Sequence, residues 1–119
     1  MPPQRFEVIE DSADLFAKLT ENPGYIIVKF TASWCGPCKK AAPYIENGLA
    51  TLPETVHYYE IDIDDHFELY GYLKTKKMVN GIPALLAWKS GNTEYIPTSA
   101  VLGADEVSIN SFFENILKK

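Results

Sequence analysis

Cysteine is scarce in this chain. Only Cys35 and Cys38 occur in 119 residues, and they sit three positions apart. None is left over for a framework of structural disulfides, which fits a reducing compartment. Histidine is equally scarce: His57 and His66 are nine positions apart, unlike the tight pairing of a zinc finger. Long apolar runs are missing too. The longest uninterrupted ones are Tyr25–Val28 and the stretch IPALLAW from Ile82, far below the ~18 residues of a membrane span. The opening MPPQRFEVIED contains no apolar stretch of signal-peptide length, so a soluble, cytoplasmic protein is expected. Basic residues are outnumbered, with 11 Lys and Arg against 16 Asp and Glu and a net charge of −5. Nucleic acids and anionic membranes need clustered positive charge, so neither is an expected partner. The Lys74, Lys76, Lys77 cluster reads as a solvated helix end.

What is present is enough apolar material, 46% of residues, to build one core over residues 1–119 without metal or staples. Strand and helix patterns alternate. Phe6–Ile9 alternates as a short strand, and Asp11 or Ser12 caps a helix to about Glu21. Tyr25–Thr31, YIIVKFT, is nearly continuous in its apolarity, as suits a central strand covered on both faces. A helix from about Cys35 to Leu52 carries Pro43 inside it, where proline should kink it. Val56–Ile63 reads as a strand and His66 to about Lys77 as a helix. Pro83–Lys89 is a strand, Ser90-Gly91-Asn92 a hairpin turn, and Thr93–Ile96 begins the return strand. Asp105–Lys119 closes the chain as a helix. The order predicts an α/β fold: a central mixed sheet of five strands flanked by four helices.

Three chemistries are open to the cysteine pair. A closed zinc site needs four ligands, and the two histidines are poorly spaced to supply the rest, so no metal is expected. A structural bridge across so short a loop removes little unfolded-state entropy. Redox exchange explains the neighbours best. Cys35 is placed at a helix start, where free N–H groups and the helix dipole favour a thiolate. Lys39 and Lys40 add positive charge. Gly36 permits a tight turn, and Pro37 falls in the first helical turn, where its missing N–H costs nothing. Cys38, one turn on, faces the same side and is set to attack a mixed disulfide on Cys35.

The segment WCGPCK resembles the active site of thioredoxins, and the resemblance extends over nearly the whole chain. Pro43, the segment Val79-Asn80-Gly81-Ile82-Pro83, Phe30, Asp64, Trp88-Lys89-Ser90-Gly91 and Gly103-Ala104 fall in step with it. The resemblance implies the thioredoxin fold. It also implies a thiol–disulfide oxidoreductase that reduces protein disulfides, with Cys35 attacking and Cys38 resolving. Trp34, Gly36, Pro37, Ile82, Pro83 and Gly103 would line the substrate groove, and the Ile82–Pro83 bond would be cis. No cofactor is bound in such proteins. Their redox disulfide, here Cys35–Cys38, is recharged by an external NADPH-dependent reductase, and the expected state is a monomer. Two other readings are a thioredoxin-fold binding or scaffold subunit of a larger complex, and an oxidase or isomerase.

The sequence departs from that family at one chemically important place. Thioredoxins usually carry a buried aspartate six residues before the first cysteine, where this chain has Lys29. Glu60, on the neighbouring strand, matches a position where they carry a lysine or glutamate. The expectation is a charge-reversed pair, Lys29 with Glu60, beneath Cys38. Lys29 would stabilise a Cys38 thiolate by charge, and Glu60, or water bridging to it, would accept its proton. The competing reading sends the Lys29 head to solvent along its apolar stem. Two lengths also depart: 64–79 is about one helical turn longer than in the bacterial relatives, and the loop at 96–100 is longer by a similar amount.

Overall fold

The computed structural model describes residues 2–118. Its elements are β1 (Gln4–Phe6), α1 (Ser12–Thr20), β2 (Tyr25–Thr31), α2 (Gly36–Leu49), β3 (Val56–Asp62), α3 (Glu68–Thr75), β4 (Ala84–Lys89), β5 (Ser99–Leu102) and α4 (Glu106–Leu117). The five strands form one mixed sheet in the order β1-β3-β2-β4-β5. β1 and β2 run parallel to β3, whereas β4 is antiparallel to β2 and β5 to β4.

The central strand explains the two-layer packing. Ile26, Val28 and Phe30 of β2 face one side and pack with Leu15 and Leu19 of α1 and Leu69 and Leu73 of α3. Ile27 faces the other side and packs with Ile45 and Leu49 of α2 and Ile109, Phe112 and Phe113 of α4. Both faces of YIIVKFT are therefore covered, which its continuous apolarity requires. Side-chain alternation puts Lys29 on the face of Ile27, beneath α2. Helix starts follow their caps: Asp11 accepts from Asp14 N and Asp105 from Ser108 N, both at 2.9 Å.

Three expectations are corrected. The first strand is Gln4–Phe6, not Phe6–Ile9. Phe6 stacks on Tyr59, with ring centroids 4.8 Å apart, and Ile9 leaves the sheet edge to enter the core beside Leu15 and Leu19. The return strand is Ser99–Leu102, not Thr93–Ile96. Side chains tie up the preceding loop in place of a ladder. Asn92 Nδ2 donates to Ile96 O and Thr98 Oγ1, and Asn92 Oδ1 accepts from Glu94 N. Pro97 has no N–H to give a sheet. Ser99 and Ala100, taken with the loop at 96–100, belong to β5. The helices are shorter than expected. α2 ends at Leu49, α3 spans Glu68–Thr75, and α4 stops at Leu117, with Lys119 outside the described residues.

Candidate active site

β2 delivers the chain to the cysteine pair. After Thr31, the backbone turns so that Cys35 N donates to Ala32 O at 3.2 Å, and Cys35 becomes the N-cap of α2. Its backbone is extended (φ −85°, ψ 108°), and its sulfur accepts from Cys38 N at 3.2 Å. The sulfur thus occupies the place a capping oxygen usually takes, against an amide that would otherwise lack a partner. A negative charge on Cys35 would meet that N–H and the positive end of a 14-residue helix. The pair is present as a disulfide, with Cα atoms 5.2 Å apart. Both cysteines are 3% exposed, while Trp34 is 66% exposed and Gly36 and Pro37 lie open to solvent beside them.

Of the residues expected to line a groove, Trp34, Gly36 and Pro37 adjoin the pair in sequence and Ile82 packs on it. Ile82 packs against Ala32, Cys35 and Cys38, and its carbonyl oxygen lies 3.9 Å from Cys35 Sγ. The Ile82–Pro83 peptide is cis. Gly103 N donates to Pro83 O at 2.8 Å, which ties the residue after β5 to the cis-proline segment. Gly103 has φ 100°, a conformation that favours glycine. Two supports lie behind this rim. Trp34 Nε1 donates to Asp64 Oδ2 at 2.7 Å, and Gly81 N donates to the Tyr70 hydroxyl at 2.9 Å.

Beneath Cys38 a cleft of about 290 Å³ is lined by Lys29, Cys38, Lys39, Glu60 and Asp62, among others. Lys29 is 4% exposed, so its head does not run out to water. Strand register sets Lys29 beside Glu60, and Lys29 Nζ lies 3.6 Å from Glu60 Oε1. The Glu60 side chain is 44% exposed. The same oxygen accepts from the Tyr58 hydroxyl at 2.7 Å. Neither Tyr58 nor Tyr70 was singled out from sequence as a site residue. The available signal for Tyr58 was period-two alternation, which places it on Glu60's face; an aromatic in a strand otherwise reads as core.

The histidines are remote from this chemistry. His57 lies in β3 against the ring of Phe6, and His66 is exposed after the strand. Among the described residues, no group of three His, Cys, Asp or Glu side chains is arranged to hold a metal.

Comparison with known proteins agrees with this geometry. The thioredoxin family model matches residues 7–115. Thioredoxin-1 of Saccharomyces cerevisiae is 34% identical over 84 residues, covering 71% of this chain and 73% of that protein. The mitochondrial thioredoxin of Bos taurus is 29% identical over 109 residues, covering 92% of this chain and 61% of that protein. The chain therefore spans about three fifths of the length of that mitochondrial relative. The oxidised structure of thioredoxin O2 from Arabidopsis thaliana is 27% identical, with a TM-score of 0.69 over 95% of each chain. The fold and the disulfide at the helix mouth define a mixed-sheet α/β protein with a cysteine pair at the N-cap of its second helix. The chain belongs to the thioredoxin family.

Proposed function

We propose that the chain, acting as a single monomeric domain, reduces disulfides in other proteins by dithiol exchange. The observation that carries this reading is Cys35 at the N-cap of α2, bonded to Cys38 and bordered by Ile82, the residue before the cis proline. In the reduced protein the Cys35 thiolate attacks a substrate disulfide. A mixed disulfide forms on Cys35, and the first substrate sulfur leaves as a thiolate that takes a proton from solvent. Cys38 then loses its proton to Glu60, directly or through water, and attacks Cys35 Sγ. The mixed disulfide breaks, the Cys35–Cys38 bond forms, and the second substrate sulfur leaves and takes a proton from solvent. Two electrons pass from the pair to the substrate.

Trp34, Gly36, Pro37, Ile82, Pro83 and Gly103 form the groove that holds the substrate segment. Lys29 favours the Cys38 thiolate by charge; its burial, and the cleft it shares with Cys38, support that role. The pair is restored by an NADPH-dependent reductase of the kind that serves thioredoxins. No bound cofactor is needed for the exchange itself. The working compartment is the cytoplasm, where thiols are kept reduced. The described helices include none long and apolar enough to cross a membrane.

The test is turnover of a protein disulfide in the presence of a thioredoxin-reductase system. Cys35→Ser should abolish it. Cys38→Ser should also stop turnover but leave a trapped mixed disulfide between Cys35 and the substrate. Full turnover by Cys35→Ser would refute the scheme.

A further inference from the structure

Tyr58 is an oddity of β3. It is fully buried, at 0% exposure, yet its hydroxyl ends on a carboxylate that opens to water. Neither the fold nor the exchange scheme has so far given that hydroxyl a task. We propose that Tyr58 is a positioning residue: its hydroxyl holds the Glu60 carboxylate against Lys29 and thereby sets the charge that Cys38 experiences. The inference rests on the reading of Lys29 as the electrostatic neighbour of Cys38.

The geometry supports it in three ways. Strand register pairs Ile27 with Tyr58 and Lys29 with Glu60, so one face of two adjacent strands carries the ammonium, the phenol and the carboxylate. Tyr58 and Lys29 converge on the same atom, Glu60 Oε1, at 2.7 and 3.6 Å. A half-exposed glutamate left to itself gains rotamer freedom by turning into water. A donor on a rigid buried ring opposes that freedom. Finally, the ring itself is fixed. The Arg5 guanidinium lies 5.4 Å from its centroid, and Arg5 is held in turn by a two-pronged pair with Glu46 of α2.

The charges around Glu60 come from every packed element. Lys29 lies on β2 and Asp62 on β3, while Arg5 and Glu7 lie at β1 and Lys39 and Glu46 on α2. Of these, Lys29 alone lies within ion-pair distance of Glu60 among the described residues. With Glu60 in place, Lys29 is offset and the cleft under Cys38 is close to neutral locally. With Glu60 turned away, the ammonium faces Cys38 uncompensated, and the thiolate forms more readily. Tyr58 itself stays protonated: burial first, and the Glu60 charge second, push its ionisation far above the ordinary tyrosine value, so it remains a donor.

The experiment uses the full-length reduced protein with Cys35→Ser, so that Cys38 is the sole thiol. Its alkylation by iodoacetamide is followed against pH. Tyr58→Phe keeps the ring and removes the hydroxyl; it should lower the Cys38 midpoint by about half a pH unit. Glu60→Gln should lower it at least as far, and the double variant no further than Glu60→Gln alone. Lys29→Met should raise it by about one pH unit. If Lys29→Met moves the midpoint and Tyr58→Phe leaves it fixed, Tyr58 only packs and the proposal is overturned. If Lys29→Met also leaves it fixed, the electrostatic reading beneath the proposal has failed instead. Should Tyr58→Phe not fold, an unchanged midpoint in Glu60→Gln overturns the proposal by itself.

Discussion

The indole of Trp34 is tethered to Asp64: Nε1 donates to Oδ2 at 2.7 Å, across 30 residues of sequence. Trp34 is 66% exposed, so little packing holds its ring in place beside the cysteine pair. A hydrogen bond to a charged acceptor at the surface is worth about 1 kcal/mol, enough to favour one orientation several-fold. Asp64→Ala should therefore loosen Trp34 and lower kcat/KM for protein disulfides by roughly two- to fivefold. Small disulfides, which touch less of the groove, should be affected less. Steady-state kinetics with both substrate types checks this, and equal losses for the two would contradict it.

Tyr70 makes a second remote support. Its hydroxyl accepts from Gly81 N at 2.9 Å, two residues before Pro83, and its ring meets Phe30 edge-on at 5.2 Å. Tyr70→Phe keeps the aromatic contact but leaves that amide without its acceptor. KM for a protein disulfide should rise about threefold with kcat little changed, because the segment is positioned less firmly. A fall in kcat at constant KM would place Tyr70 in the exchange steps instead.

Much of this arrangement was legible in the sequence, for physical reasons that can be traced residue by residue. YIIVKFT reads as a doubly covered strand because it is nearly continuous in its apolarity, with Lys29 the one charge in it. The same contrast marks Lys29 as an anomaly, and strand register with β3 then finds Glu60. Cys35 reads as a helix mouth because Gly36 and Pro37 follow it. The two edge strands are poorly legible because each is short and largely exposed. β1 has no buried face, so nothing in its pattern fixes its start. The real beginning of β5 depends on Asn92 bonding forward to Ile96 and Thr98, a side-chain arrangement that periodicity does not encode. Tyr58 escaped for a different reason. Its burial is readable, but the hydroxyl's target becomes visible only when two strands are set in register.

Packing between α2 and α4 leaves no room at Gly48. A Cβ built there would run into the ring of Phe113. Phe113 is itself buried, and it meets Phe112 edge-on at 5.3 Å, so the ring has little freedom to retreat. Interiors at this density answer overpacking with displaced backbones or strained rotamers. Gly48→Val should cost about 1–3 kcal/mol, seen as a lower denaturant midpoint with an unchanged slope. Because α2 contains Cys38 and is capped by Cys35, the variant also asks whether the active site tolerates a shifted helix. An unaltered midpoint would mean the interface yields more easily than its contacts indicate.

Acid should erode stability through three carboxylates. Lys18 holds Asp14 below the ordinary aspartate value of 3.8, Arg5 holds Glu46 below the glutamate value of 4.5, and Ser108 holds Asp105 below 3.8, each chiefly through a hydrogen bond to the side chain. A carboxylate lowered on folding adds stability that is complete above its unfolded value. That stability disappears as pH falls through the folded one. Thermal midpoints should therefore be flat near neutrality and fall from about pH 4.5 downward. The Arg5–Glu46 pair is about half exposed, at 50% and 53%, so solvent limits its share to roughly 0.5 kcal/mol. Arg5→Ala should accordingly melt slightly below the parent at pH 7, and the gap should close as pH falls through the lowered Glu46 value, where the carboxyl is protonated in both. A gap that stays undiminished throughout the acid limb would show that Arg5 acts through its cover of the Tyr58 ring rather than through Glu46.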